Sequence, residues 1–68
     1  MHEDLHNRLL EHRSRRHLTQ AELATMAGVS RKTINTVENG VFIPSTVLAL
    51  RLARVLEASV EELFQLPD

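Results

Sequence analysis

Residues 19–40 constrain the fold more than any other part of this chain, because they carry the start and stop signals of two short helices. Thr19 can cap the first helix, and a glutamate three positions later can complete a capping box. Gly28 can adopt the positive φ that ends this helix and redirects the chain. Ser30 begins a second helix, which runs to a stop signal at Gly40. The segment therefore predicts two helices of about two to three turns each, joined by a tight turn.

Helices this short are marginal in water, so they must be held by packing. Their apolar positions supply a shared inner face: Leu23, Ala24, Ala27, Val29, Ile34 and Val37. The rest of the chain also follows helical spacing. We predict a first helix over about residues 4–16, a fourth over 45–56 and a fifth over 59–65, where a second capping box begins at Ser59. No strand alternation is visible, so the fold class is predicted to be all-α with five helices.

A chain of 68 residues supports one small domain with a single core, and we assign residues 1–68 to it. Such a core leaves no room for a deep active-site cleft. The absence of cysteine excludes disulfides, thiolate chemistry and cysteine-based zinc sites. No apolar run has the length or character of a signal peptide or a membrane span, so we expect a cytoplasmic protein without membrane contact. We predict no catalytic residues, no metal and no cofactor.

The net charge of −1 argues against a general nucleic-acid coat, because such proteins carry a basic excess. The distribution of charge matters more than its sum. Five basic residues lie in or beside residues 19–40: Arg13, Arg15, Arg16, Arg31 and Lys32. The acidic residues of the last segment are Glu57, Glu61, Glu62 and Asp68. We therefore expect an electrically polar molecule with a basic binding side.

Residues 2–6 read H-E-x-x-H, the spacing by which zinc proteases place two imidazoles and a catalytic glutamate on one helix. In this chain the motif lies at the N-terminus, without a convincing third ligand or a cleft to shelter a zinc-bound water. We interpret His2, Glu3 and His6 as a solvated chain end, with casual binding of a divalent metal by the two histidines as the alternative.

Five segments in order resemble one known family over nearly the whole chain. They are LTQAELA at 18–24, AGVSRKTINTVENG at 27–40, PS at 44–45, LALRLARVL at 48–56 and SVEELF at 59–64. The sequence is similar to the phage repressor and Cro type of helix-turn-helix regulators, also called the Xre family. The resemblance implies the compact five-helix fold of lambda-repressor-like domains, with residues 19–40 as the helix-turn-helix and the C-terminal helices in dimerisation.

In that family the second helix of the motif enters the major groove of double-stranded DNA. The resemblance therefore implies that the exposed side of the helix after Ser30 reads bases, and the candidates share one face opposite Ile34 and Val37. They are Arg31, Lys32, Asn35 and Thr36. The alternative is a solvated polar face.

Phosphate contacts are implied around the rim of this helix. The candidates are the side chains of Gln20, Ser30 and Asn39 and the backbone amides of Val41 and Phe42. For Asn39 the alternative is a simple helix C-terminus, and Ser30 can cap the helix as well. The resemblance also implies an ion pair of Arg13 with Glu38, which orients the reading helix. The sequence departs from the family pattern at His12, His17, Val41 and Glu57; His17 and Glu57 replace usual glycines.

One recognition helix reads only a few base pairs, so we expect a homodimer on pseudo-palindromic half-sites about 10 base pairs apart. Apolar residues beyond the inner face of the last two helices form the candidate interface: Val47, Leu50, Val55, Phe64 and Leu66. The alternative for each is ordinary core or a single exposed apolar side chain.

The leading functional hypothesis is a sequence-specific transcription regulator of bacterial or phage origin, most simply a repressor, associated with the nucleoid when bound to DNA. A second hypothesis is the antitoxin of a toxin–antitoxin pair, with a toxin as protein partner. A third is a protein-interaction module that keeps the fold without binding DNA. The basic residues Arg31 and Lys32 argue against the third hypothesis.

Overall fold

The computed structural model describes residues 5–67, which form five short helices and two very short strands. The helices are α1 (Leu9–Arg15), α2 (Gln20–Ala27), α3 (Arg31–Glu38), α4 (Thr46–Leu56) and α5 (Val60–Leu63). Two short strands, β1 (His6–Asn7) and β2 (Phe64–Gln65), pair antiparallel. The predicted five-helix domain of the lambda-repressor-like type is confirmed.

A single apolar core holds these short helices together. It takes at least one residue from every helix and is completed by the first residue of β2: Leu9, Leu23, Ala24, Ala27, Ile34, Val37, Leu48, Ala49, Leu52, Ala53, Leu56, Leu63 and Phe64. Over residues 5–67 no polar or charged residue is fully buried. The helices are too short to persist alone, so this shared burial fixes the position of α3.

Four of the five helices begin with a side-chain cap, as the sequence predicts for each. The capping residues are Thr19, Ser30, Ser45 and Ser59, each of which accepts a bond from the backbone amide three positions on. Capping boxes are complete at α2 and α5, through Glu22 and Glu62. Hydrogen bonds from Ser59 lower the pKa of the Glu62 carboxyl; the bond from the Ser59 backbone amide has the largest effect and the bond from its side chain follows. These local signals explain why the starts of α2 to α5 could be predicted from the sequence.

Four helices end in the same way, with a left-handed residue and two bonds that close the last turn. The left-handed residues are His17 (φ 57°), Gly28 (φ 76°), Gly40 (φ 73°) and Glu57 (φ 53°). In each case the next amide donates to a carbonyl five residues back, such as Ala58 to Ala53 at 3.0 Å. His17 and Glu57 thus carry side chains in a left-handed conformation that only glycine adopts without strain.

Replacing Glu57 by glycine is expected to raise the free energy of unfolding by about 0.5 to 1 kcal/mol. Glycine removes the clash of Cβ in the left-handed conformation, and this gain exceeds the added entropy of the unfolded chain. The substitution loses only a 3.4 Å contact with Arg16 at the surface. For a domain of this size the melting temperature should rise by roughly 2–8 °C.

Glu57→Ala is the matched control, because it removes the same carboxylate and keeps a Cβ. It should show little or none of the gain. Equal melting temperatures for the alanine and glycine variants would mean that backbone strain at this position is negligible.

The two ends of the bundle differ from the prediction. The first helix was expected from residue 4 and begins at Leu9, since His6 and Asn7 pair instead with Gln65 and Phe64. The amide of Arg8 also donates to the carbonyl of Leu63 at 2.8 Å. The fifth helix consequently ends at Leu63, two residues short of its predicted end, because β2 needs extended backbone.

The H-E-x-x-H motif falls largely outside the described residues, which exclude His2 and Glu3. His6 lies in β1, so the helical spacing that brings two histidines together is not formed there. Within residues 5–67 no three His, Asp or Glu side chains cluster in a way that could hold a metal ion. In the same range no helix combines the length and apolar character needed to cross a membrane.

Candidate nucleic-acid interface

Helix α3 presents a polar face to solvent, and its opposite face lies in the core. Ile34 and Val37 are fully buried, whereas Arg31, Lys32 and Asn35 are exposed. Thr36, the fourth candidate reader, is half-buried, and its hydroxyl donates to the carbonyl of Thr33 at 3.0 Å. We call the surface formed by residues 31, 32, 35 and 36 the reading face. Three of its four side chains are exposed, and the fourth is half-buried.

The positive charge of the reading face comes from Arg31 and Lys32. In the part of the chain that the structure describes, neither forms a salt bridge, whereas the arginines of α1 and its end do. Arg15 pairs with Glu11, and Arg16 reaches Glu57 at 3.4 Å. The basic side expected from the sequence is therefore smaller than a count of basic residues suggests.

Arg13 and Glu38 form an ion pair that joins α1 to the end of α3. Arg13 Nε donates to Glu38 Oε2 at 2.6 Å and Nη2 donates to Oε1 at 3.2 Å. Arg13 Nη1 also donates to the carbonyl of Leu18 at 2.8 Å. The side chain of Glu38 is only 4% exposed, so this two-bond pair is shielded from solvent. Besides the core, the pair is a second link that holds α3 against the rest of the bundle.

A chain of amide side chains continues from this ion pair to the reading face. Gln20 Nε2 donates to Glu38 Oε1 at 2.9 Å, and Asn35 Nδ2 lies 3.5 Å from Gln20 Oε1. Asn39 Nδ2 in turn donates to Asn35 Oδ1 at 3.2 Å. An amide nitrogen carries two hydrogens, so Gln20 and Asn39 each keep one for a phosphate oxygen. Their predicted phosphate role is compatible with these contacts.

Ser30 is engaged as the cap of α3. Its hydroxyl oxygen accepts from the amide of Thr33 at 3.1 Å and shares a bond with the Thr33 hydroxyl at 2.9 Å. These contacts show the capping role. If Thr33 donates the second bond, Ser30 keeps its own hydroxyl hydrogen for a phosphate, so its phosphate contact stays a prediction.

The two predicted backbone contacts after α3 are not available in the expected form. The amides of Val41 and Phe42 both donate to the carbonyl of Thr36, at 3.0 and 3.2 Å. Their hydrogens point into the helix end and away from a phosphate. The prediction that these amides hold a DNA strand is therefore corrected. The sequence did contain a signal for this geometry, because Gly40 at a helix end commits the following amide to the last turn.

The side chains of Val41 and Phe42 are exposed next to the reading face. With Lys32, Thr33 and Thr36 they line a shallow cleft of about 330 Å³. Sequence reasoning missed this apolar surface, because it assigned a role only to the backbone of residues 41 and 42.

The structure divides the residues predicted for a dimer interface. Val47, Leu50 and Leu66 are exposed, whereas Val55 is half-buried against the core. Phe64 lies in the core of its own chain, at 8% exposure, because pairing of β2 with β1 turns it inward. Phe64 is therefore removed from the candidate interface, since it has little surface to offer a second subunit.

The chain is similar to known proteins over most of its length. A sequence model described as helix-turn-helix, of the Xre-like type, matches residues 9–63. A protein of Archaeoglobus fulgidus named as an uncharacterized HTH-type transcriptional regulator is 42% identical over 64 residues, which are 94% of this chain and 91% of the relative.

Two solved structures are also similar. The restriction-modification controller protein C.AhdI from Aeromonas hydrophila has a TM-score of 0.77 and 36% identity, over 81% of this chain and 83% of its own. The complex of the SinR and SinI proteins contains a chain with a TM-score of 0.75 and 27% identity, over 79% of this chain and 53% of its own. The present chain thus spans about half the length of that second relative.

Proposed function

Because the chain belongs to the Xre-like helix-turn-helix family of transcription regulators, we propose that it binds a specific double-stranded DNA sequence as a homodimer and represses transcription. The observation that carries the proposal is the reading face of α3. It sets Arg31, Lys32 and Asn35 outward on a helix whose other side is buried. These side chains have the donors and acceptors that match base edges in the major groove.

The ion pair of Arg13 and Glu38 supports the same proposal. A helix that reads bases must keep its register on the duplex, and shielded bonds between α1 and α3 hold it rigidly. Gln20 and Asn39 flank the reading face and can position it by bonding phosphates, as the resemblance implies. Arg31 and Lys32 then determine which DNA sequence is bound, and Gln20 and Asn39 orient α3 on the duplex.

Two-fold symmetry would extend the site that one short helix can read. Exposed Val47 and Leu50, one turn apart on α4, together with Leu66 form the surface that we propose for the second subunit. Val47 and Leu50 are each 57% exposed and Leu66 is 78% exposed, so they have apolar surface to bury against a second subunit. Repression follows if the bound dimer overlaps a promoter, and the similar C.AhdI is a controller protein.

The first test is the selection of bound sequences from a random double-stranded DNA pool with the purified protein at two salt concentrations. We expect a pseudo-palindromic consensus with half-sites about 10 base pairs apart, retained at the higher salt. A consensus without symmetry would contradict the dimer. Binding without any consensus, abolished by salt, would contradict sequence-specific recognition and favour the interaction module.

Sedimentation at micromolar concentration tests the dimer separately. We expect a dimer in the free protein or on addition of the selected DNA, and a monomer in both conditions would remove the proposed interface. None of the similar proteins described above is named as an antitoxin, so the antitoxin hypothesis gains no support from them.

A further inference from the structure

An exposed apolar pair lies where a DNA-binding surface is expected to be polar. Val41 is 78% exposed and Phe42 46% exposed, in the loop that follows α3. Both amides bond the carbonyl of Thr36, so the loop is held against the helix in one position. The two side chains therefore form a fixed part of this surface.

The cleft between this loop and α3 has walls made mostly of carbon. Its hydroxyl groups bond inside the protein: the Thr36 hydroxyl donates to the carbonyl of Thr33 at 3.0 Å. The hydroxyls of Ser30 and Thr33 bond each other at 2.9 Å. The threonine methyl groups remain as lining, together with Val41 and Phe42. Apart from Lys32, this lining favours a small apolar group over a phosphate oxygen.

The occupant follows from the position of the cleft. Lys32 and Thr36 belong both to the cleft and to the reading face, so DNA read by α3 brings base edges to the cleft. The major groove displays one apolar group, the C5-methyl of thymine, and 5-methylcytosine carries the same group.

We propose that this cleft binds the C5-methyl group of one thymine in each half-site. Val41 and Phe42 are then specificity-determining residues. This inference rests on the proposed function, since it needs α3 to read DNA in the major groove.

The experiment replaces each thymine of the selected consensus by deoxyuridine, symmetrically in both half-sites, which removes only the methyl group. At one symmetric position we expect affinity to fall about fourfold per half-site and about 15-fold for the two together. Replacing cytosine by 5-methylcytosine at that position, paired with guanine, should raise affinity by a similar factor. The second comparison separates a methyl contact from an effect of base pairing.

Val41→Ala and Phe42→Ala are expected to bring the thymine-to-uracil affinity ratio at that position close to one. Ile43→Ala is the matched control, because Ile43 is 52% exposed in the same loop and does not line the cleft. It should keep the wild-type ratio. Both affinities in each ratio belong to the same variant, so a partly unfolded variant still reports the methyl effect.

The proposal is overturned if uracil binds as well as thymine at every position of the wild-type consensus, or if Val41→Ala and Phe42→Ala leave the ratio unchanged. A consensus without a symmetric thymine overturns it as well. These results leave sequence-specific binding intact. Failure of the random-pool selection to give any consensus has a different meaning, because it removes the proposed function and the methyl site together.

Discussion

Replacing Arg13 by alanine is expected to lower the free energy of unfolding by about 3 to 5 kcal/mol. The side chain of Glu38 is 4% exposed and takes two bonds from Arg13, at 2.6 and 3.2 Å. Without the guanidinium this shielded carboxylate keeps only the bond from Gln20, at 2.9 Å. The carbonyl of Leu18 also loses its bond from Arg13. Breaking one side of a buried pair costs more than the pair contributes, because the remaining charge is unpaired.

The expected loss is a large share of the total, since domains of this size have a stability of roughly 3–10 kcal/mol. Urea unfolding followed by circular dichroism measures it directly. Arg15→Ala is the matched control, because Arg15 pairs with Glu11 at an exposed surface and should leave the midpoint nearly unchanged.

A second control replaces both partners, as Arg13→Met with Glu38→Leu. Apolar side chains of similar size leave no unpaired charge, so this double variant should recover most of the lost stability. If Arg13→Ala unfolds at the same urea concentration as Arg15→Ala, the ion pair contributes nothing to the bundle. Our account of how α3 is positioned would then be wrong.

The parts of the fold that the sequence predicts well depend on neighbouring residues. Thr19 and Ser59 cap their helices through glutamates three positions away, as the pattern of residue types indicates. The conformation of Gly28 and Gly40 follows in the same way from a stop signal beside a helix. Local chemistry of this kind can be recognised without knowledge of the tertiary structure.

The parts that the sequence could not predict depend on residues far apart in the chain. His6 and Asn7 are extended because they meet Gln65 and Phe64, and strands of two residues have no periodicity to detect. The same pairing moves Phe64 from the expected dimer surface into the core. The contacts of Gln20 with Glu38 and Asn35 are equally long-range, so no local pattern indicates that its amide bonds inward.

In the candidate site, α3 and the loop after it contain one feature that the sequence predicts and one that it does not. The exposed positions of α3 follow from helical spacing, since Ile34 and Val37 must face the core. The role of Val41 does not follow, because the resemblance drew attention to its amide and the structure uses that amide in the helix end. What remains for a ligand at residue 41 is its exposed valine side chain.

Replacing Arg31 by alanine is expected to weaken binding to the selected operator by at least about 30-fold, because each bidentate contact with a guanine contributes roughly 1 to 3 kcal/mol and a dimer makes two. Arg31 is exposed on the reading face and has no ion-pair partner among residues 5–67, so no internal bond opposes its contact with a base. The selected consensus should also relax at one symmetric position.

Arg54→Ala separates base reading from the general attraction of positive charge to DNA. Arg54 is exposed on α4 and lines a different depression, beside Thr25 and Gly28 at the end of α2. The substitution removes the same charge, yet the consensus should stay sharp and affinity should change little. If both variants weaken binding equally on operator and random DNA, Arg31 acts on phosphates, and the salt dependence should then become less steep by about one counterion per subunit. A loss restricted to the operator, with one relaxed position, assigns Arg31 to a base.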